Sequence, residues 1–264
     1  GRGGFDLERI VELEPEFLNP AHGEPGHVHD ENCDHDHDQT FEIERVALTE
    51  KEIQFIKSAS FNEIMFSINQ LLEENQFGKG TVYLEAAYDF LKPNNETEPD
   101  ALFQIEHQLA LSYAIIGEYQ NSATFWKKVI HYSSSHKDQF SAEDILSFIL
   151  NASISSREAD AREDFLAYSK QGLDSVVSDN LPDYEPSFLF EYGLFYSAQN
   201  DQPKALQFFE KSLKLFEQFE DFHGALNASF ELAVLLEEEK KLDQAKNYYL
   251  KALEFSKHEN LSEF

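Results

Sequence analysis

Side chains that could bind a metal ion are concentrated between residues 19 and 40. Six of them are histidine or cysteine, whose imidazole and thiolate groups suit Zn(II) and related divalent ions: His22, His27, His29, Cys33, His35 and His37. Interspersed aspartates such as Asp34, Asp36 and Asp38 further favour cations. The spacing matches no strict structural zinc pattern, so it predicts loose, adaptable chelation. The alternative is a solvated acidic linker whose histidines bind metal only on an affinity column.

The elements around this cluster form an extension that precedes the bulk of the chain. Residues 19–40 contain two prolines, two glycines and no apolar periodicity, which predicts a flexible segment. Residues 1–18 place apolar side chains at helical spacing and are predicted to hold a short helix. Residues 41–60 are predicted to hold a connecting helix that begins near residue 50, because Thr49 and Glu52 form a capping-box pattern.

Composition excludes several classes of partner. The 264 residues include 50 acidic and 21 basic side chains, for a formal net charge of −29. This charge repels nucleic-acid phosphates and anionic lipid surfaces, so neither is an expected partner, whereas a basic or amphipathic peptide is favoured. A single cysteine, Cys33, cannot form an intramolecular disulfide, and this favours a reducing, cytoplasmic location.

A repeated helical hairpin extends from about residue 61 to residue 264. The residue that closes the second helix of each unit recurs at spacings of 43, 43, 40 and 40 residues: Ala87, Ile130, Leu173, Leu213 and Leu253. The residue four places earlier is usually aromatic: Tyr83, Trp126, Ser169, Phe209 and Tyr249. Short polar stretches between the helical segments predict turns at 76–79, 92–100, 117–119, 133–137, 179–186, 200–203 and 240–242. Because such units bury their apolar faces only by stacking, the pattern predicts an all-α solenoid of about five hairpins.

These units resemble the tetratricopeptide repeat over about residues 61–257. Residues 117–130 are similar to that family's turn and second helix, and Tyr192, Ala205 and Phe209 match it in the fourth unit. The family's usual period is about 34 residues, so the longer period here resembles the subgroup with lengthened helices. Kinesin light chain and the bacterial Rap-type regulators, which bind peptides or partner domains, belong to that subgroup. The resemblance implies a right-handed superhelix whose concave face is lined by the first helix of each unit.

The same resemblance implies where a peptide would bind. The candidate groove residues on the first helices are His107, Leu111, Asn151, Phe190, Leu194, Asn227 and Glu231. Co-chaperone members of the family hold a partner's terminal carboxylates with Lys, Arg and Asn from this face. Few cations stand at the corresponding positions here, so binding of a chaperone tail is not expected.

A second resemblance concerns the extension. Residues 5–18, followed by His-rich acidic sequence, resemble the stretch that joins the two halves of CobW-type GTP-dependent metallochaperones. In that family the His-rich stretch is thought to handle zinc or related metals. The resemblance covers only residues 5–40, and the chain has no G-x-x-x-x-G-K-[ST] phosphate loop with which to bind GTP.

Two functions fit these patterns. The first is a non-enzymatic scaffold that binds a peptide or partner domain in the groove of a tetratricopeptide-like superhelix and needs no cofactor. The alternative is zinc handling, in which residues 22–37 bind Zn(II) and the repeats dock a client. An enzyme is not predicted, because no G-x-S-x-G or comparable catalytic motif occurs. The sequence leaves open the partner, the metal, the oligomeric state and whether the chain is part of a larger protein.

Overall fold

The structure is a computed structural model that describes residues 45–94 and 99–262. The described residues form eleven α-helices and two short 3-10 helices, with no strand among them. The α-helices are α1 (Glu50–Ser58), α2 (Phe61–Glu73), α3 (Phe77–Leu91), α4 (Pro99–Ile115), α5 (Tyr119–Ser135), α6 (Ala142–Glu158), α7 (Arg162–Ser178), α8 (Glu185–Ala198), α9 (Gln202–Gln218), α10 (Phe222–Glu238) and α11 (Leu242–Ser262). The prediction of an all-α fold is confirmed.

After α1 the helices pack in five consecutive pairs that run from α2–α3 to α10–α11. Each of the five closing residues predicted from the sequence lies in the second helix of its pair. The five-hairpin arrangement is therefore confirmed. Within the described ranges, no helix combines the length and apolar character that crossing a bilayer requires.

The described residues divide into two compact units. One lies within residues 41–182 and contains α1–α7, and the other lies within residues 183–264 and contains α8–α11. In the first unit, Ile64 on α2, Leu84 on α3 and Ile105 on α4 are fully buried in one apolar cluster. In the second unit, Phe209 on α9 and Leu232 on α10 are fully buried in another.

Helix α1 begins where the capping-box pattern predicts. The hydroxyl of Thr49 accepts a hydrogen bond from the backbone N–H of Glu52, whose carboxylate accepts from the backbone N–H of Thr49 at 2.7 Å. Lys79 on α3 places its ammonium group 2.7 Å from the same carboxylate. Because of these contacts, the pKa of Glu52 is lowered to about 2, with the Lys79 interaction as the largest cause. The cap therefore also ties α1 to α3.

Seven interhelix turns share one backbone motif. In each, one residue adopts a positive φ: Asn75, Gly117, Asp160, Asn180, Asn200, Glu220 and Lys240. The N–H of the following residue donates to a carbonyl five residues earlier, as Ala161 N–H does to Ser156 at 2.8 Å, and this satisfies the last carbonyls of the helix. The turns at Asp160 and Glu220 were absent from the predicted set of turns.

The third pair departs from the aromatic pattern of the repeat. Where the other pairs place a large side chain, α7 places Ser169, whose hydroxyl oxygen lies 2.6 Å from that of Ser153 on α6. Both serines are fully buried. Phe165, one turn earlier on α7, is also fully buried and supplies the aromatic ring for this pair. The small serines allow α6 and α7 to approach closely, while the hydrogen bond satisfies both buried hydroxyls.

Candidate functional site

Three of the predicted groove residues lie in the first unit. His107 and Leu111 are one turn apart on α4, Asn151 is on α6, and all three are half-buried. The ring of His107 lies 5.4 Å from that of Trp126 and 5.2 Å from that of Phe148, measured between centroids. Burial lowers the pKa of His107, so the imidazole is neutral at pH 7 and presents an aromatic surface rather than a charge.

The other four predicted groove residues lie in the second unit. Phe190 and Leu194 are one turn apart on α8, where both are half-buried against the apolar core. The ring centroid of Phe190 is 5.4 Å from that of Phe209. On α10, Asn227 is half-buried, whereas Glu231 is buried, with 8% of its surface exposed. The seven candidates therefore fall into two sets, one on α4 and α6 and the other on α8 and α10.

The predicted metal ligands between residues 22 and 37 lie outside the described residues. Within residues 45–94 and 99–262, no group of three or more His, Cys, Asp or Glu side chains could hold a metal ion. Zinc binding by the His-rich segment stays a prediction.

The structure also contains a pocket that the sequence patterns did not predict. It has a volume of about 750 Å³ and is lined by side chains from α3, α4, α5 and the 3-10 turn that follows α3. Five lining residues carry basic side chains: Lys92, Lys127, Lys128, His131 and His136. Glu106 is the one carboxylate among the described residues that line it. We call this the basic pocket, which is unexpected in a chain of net charge −29.

Lys128 is held in place at one side of the basic pocket. Its ammonium group lies 4.5 Å from the ring centroid of Tyr88 and 4.4 Å from that of Phe125. The same group donates a hydrogen bond to the Tyr88 hydroxyl and lies 3.5 Å from a carboxylate oxygen of Glu106. Burial raises the pKa of Glu106, and the attraction of Lys128 opposes that rise. These contacts fix the direction of the lysine side chain.

An aromatic stack forms another part of the wall. The rings of Tyr132 and His136 are 4.1 Å apart and nearly parallel. His136 Nδ1 lies 3.0 Å from the backbone carbonyl oxygen of Tyr132, so Nδ1 carries the proton and donates to that carbonyl. The Tyr132 hydroxyl donates to Asp100, and burial followed by this contact raises the pKa of Tyr132 to about 12. Tyr132 therefore stays neutral, and its ring is stacked between those of His136 and Phe103.

One signal in the sequence could have indicated the basic pocket. Lys127, Lys128 and His131 are spaced at i, i+1 and i+4, which places basic side chains on one face of α5. Nothing local, however, connects that face with Tyr88 or Lys92, which are about one repeat earlier in the chain.

Comparison with protein families identifies one match. Residues 186–258, which contain most of α8, all of α9 and α10, and most of α11, match the family model described as "Tetratricopeptide repeat". No curated protein matches this sequence. The family match does not reach residues 5–40, and the resemblance of that segment to CobW-type proteins finds no support in these comparisons.

Several solved structures are similar to this chain. The structure of BtubC (BKLC) from P. vanneervenii has a TM-score of 0.52 at 14% identity, covering 81% of this chain and 93% of that one. A structure of a putative kinesin light chain from Podosopora anserina, with nearly identical TPR-like repeats, has a TM-score of 0.56 at 12% identity, covering 81% and 99%. A MamA RS-1 double mutant has a TM-score of 0.51 at 12% identity, covering 75% and 96%. At these identities the similarity concerns the fold alone. The consecutive helical pairs thus have a tetratricopeptide-like fold, with a direct match to the repeat family over residues 186–258.

Proposed function

We propose that this protein is a non-enzymatic scaffold that binds a peptide or partner domain on the first helices of its repeat units. The observation that carries the proposal is the run of five consecutive packed helical pairs with a tetratricopeptide-like fold. Stacked repeats of this kind expose long surfaces on which partner proteins bind, and their chemistry needs no cofactor. We place this function in the cytoplasm, in keeping with the single cysteine.

The side chains of the first helices support a partner of particular chemistry. Leu111, Phe190 and Leu194 are apolar and only half-buried, so they keep apolar surface available for contact. Asn151 adds an amide group on a first helix of the first unit, and Asn227 does so in the second unit. Apolar surface together with amides, in a chain of net charge −29, suits a basic or amphipathic peptide. Nucleic acid and membrane surfaces stay disfavoured partners on the same electrostatic ground.

A peptide selection on the full chain tests the proposal. Peptides selected from a displayed random library would be measured against the parent, Leu111→Arg and Val177→Arg by fluorescence anisotropy. Val177 is the matched control, because it lies on a second helix of the same unit and is 82% exposed. We expect Leu111→Arg to weaken binding of the selected peptides at least about tenfold, by roughly 1.4 kcal/mol, and Val177→Arg to leave it unchanged. Helical circular dichroism must be equal in all three proteins. Equal affinities for the parent and Leu111→Arg would contradict the proposed surface.

The alternative function is metal handling by the extension. The concentration of His22, His27, His29, Cys33, His35 and His37 within sixteen residues is the observation that favours it. On this hypothesis the segment binds Zn(II) or a related divalent ion, and the repeats dock the client that supplies or receives the metal. The two functions are separable, because the first requires the repeats and the second requires the histidines.

A further inference from the structure

We propose that the basic pocket, which none of the seven predicted groove residues lines, binds a phosphorylated side chain of a partner peptide. The pocket brings together three lysines, Lys92, Lys127 and Lys128, with one lining carboxylate among the described residues, Glu106. His131 and His136 add imidazole groups to the same wall. A local excess of positive charge in so acidic a chain favours an anion as the ligand of this pocket.

The lysines differ in how firmly they are held. Lys128 is oriented by Tyr88, Phe125 and Glu106, so little of its freedom remains to be lost when an anion arrives. Lys127 is exposed, and no ion pair joins it to any described carboxylate. Lys92 places its ammonium group 5.5 Å from the centroid of the Tyr88 ring. One oriented and two adaptable ammonium groups can thus approach a single anion from different sides.

The size and walls of the pocket favour a phosphorylated side chain over a bare carboxylate. A volume of about 750 Å³ is much larger than a carboxylate group needs. Pro99, which is exposed, lies above buried Leu102 in the lining and provides apolar surface for the carbon atoms of the bound residue. A phosphate monoester carries about −1.5 to −2 charges at pH 7 and three acceptor oxygens, which matches several separate donors.

Charge also decides between a peptide and a larger polyanion. The three lysines that would meet the phosphate all line one pocket, while the chain as a whole carries a net charge of −29. A nucleic acid or an anionic membrane would extend beyond the pocket and meet this repulsion. A short peptide with a single phosphate places its charge where the lysines are and little charge elsewhere.

Binding of labelled peptides to the full chain tests the assignment. The probes are an otherwise uncharged peptide with one phosphoserine, its unphosphorylated form, its glutamate form, inorganic phosphate as a competitor and phosphatidylserine vesicles. The variants are Lys127→Gln, Glu106→Gln and a control, Lys170→Gln. Lys170 is an exposed lysine of the same unit that pairs with Asp174 at 3.0 Å outside the basic pocket. Fluorescence anisotropy at low and moderate salt gives the affinities.

We expect the phosphopeptide to bind at least about tenfold more tightly than its unphosphorylated form, and to weaken as salt rises. Lys127→Gln should weaken phosphopeptide binding at least about threefold, whereas Glu106→Gln should strengthen this binding. Lys170→Gln should leave the affinity unchanged. Equal affinity for the unphosphorylated peptide, or equal weakening by Lys170→Gln, would overturn the assignment. An equally tight glutamate peptide would show a carboxylate site instead. Competition by free phosphate at the phosphopeptide's own affinity, or binding only to vesicles, would remove the peptide as the occupant.

Discussion

The ammonium group of Lys128 on α5 lies 4.5 Å from the ring centroid of Tyr88 on α3, and these residues are 40 positions apart. Glu106 on α4 completes the contact, because its carboxylate lies 3.5 Å from the same ammonium group. Three helices of the first unit therefore meet at one lysine. Since Glu106 is largely buried and its pKa is raised, ionisation of its carboxyl group lowers the free energy of unfolding as pH rises.

Glu106→Gln should stabilise the protein increasingly as pH rises. A carboxyl group whose pKa is higher in the folded state favours folding at low pH and loses that contribution as it ionises. Relative to the parent, the unfolding free energy of Glu106→Gln should therefore grow as pH rises above 4.5, the ordinary value for this group. Urea unfolding at several pH values measures the difference. In a Lys128→Met background, Glu106→Gln should raise the unfolding free energy by more, because the attraction that favours ionised Glu106 is gone. A difference in unfolding free energy between parent and variant that shrinks as pH rises would contradict the prediction.

Glu52→Gln should have the opposite pH dependence. The pKa of Glu52 is lowered to about 2, so its stabilising contribution is complete above its ordinary value of 4.5 and is lost as pH falls toward 2. We expect the substitution to cost about 0.3–1 kcal/mol at pH 7, because it removes the negative charge at the helix N-terminus and the ion pair with Lys79, whereas a glutamine oxygen can still complete the capping box. Chemical unfolding at pH 7 and at pH 3 measures the change. Lys79→Met serves as the control, because it removes the ion pair but keeps the carboxylate charge at the helix N-terminus, and it should cost less than Glu52→Gln. A pH-independent loss would refute the prediction.

Gly193→Ala should destabilise the second unit. A Cβ atom at Gly193 would lie 2.5 Å from two ring carbons of Phe209, which is fully buried. Overpacking of this kind costs about 1–3 kcal/mol, more than the roughly 1 kcal/mol that alanine gains in a helix. Gly80→Ala is the matched helical control, since its nearest neighbour is the flexible end of Leu72 at 2.9 Å. Thermal unfolding should show a clearly larger loss for Gly193→Ala, and equal losses would rule out the packing explanation.

Zinc binding by the extension is tested by calorimetric titration of the intact chain. The comparison is a variant in which His22, His27, His29, Cys33, His35 and His37 are changed to Ser. If metal handling is the function, the parent should bind Zn(II) with a dissociation constant of about 1 μM or below, a free energy of roughly 8 kcal/mol, and the variant should lose this binding. No heat, or equal heat in both proteins, would leave the peptide-binding scaffold as the remaining hypothesis.

Local signals in the sequence determined the fold class and the order of its elements. The capping box of Thr49 and Glu52 marked the first described helix, because a cap involves residues only three positions apart. Spacings of 43 residues from Ala87 to Ile130 and of 40 residues from Leu173 to Leu213 predicted five hairpins, since a stacked repeat must present its apolar side chains once per unit. The turns at Asp160 and Glu220 were not predicted. Their positive-φ motif is held by backbone hydrogen bonds and accepts ordinary side chains, so residue type does not mark it.

Only the tertiary structure decided which side chains meet. It buried Phe165, one turn before Ser169, in the third pair, and it buried Glu231, which the resemblance to the repeat family had placed in an open groove. It also joined Lys128 to Tyr88 and so formed the basic pocket. Helical periodicity reports which face of one helix is apolar, but it does not report the distance between faces of different helices. That distance follows from how whole side chains pack, and the proposed phosphate site depends on it.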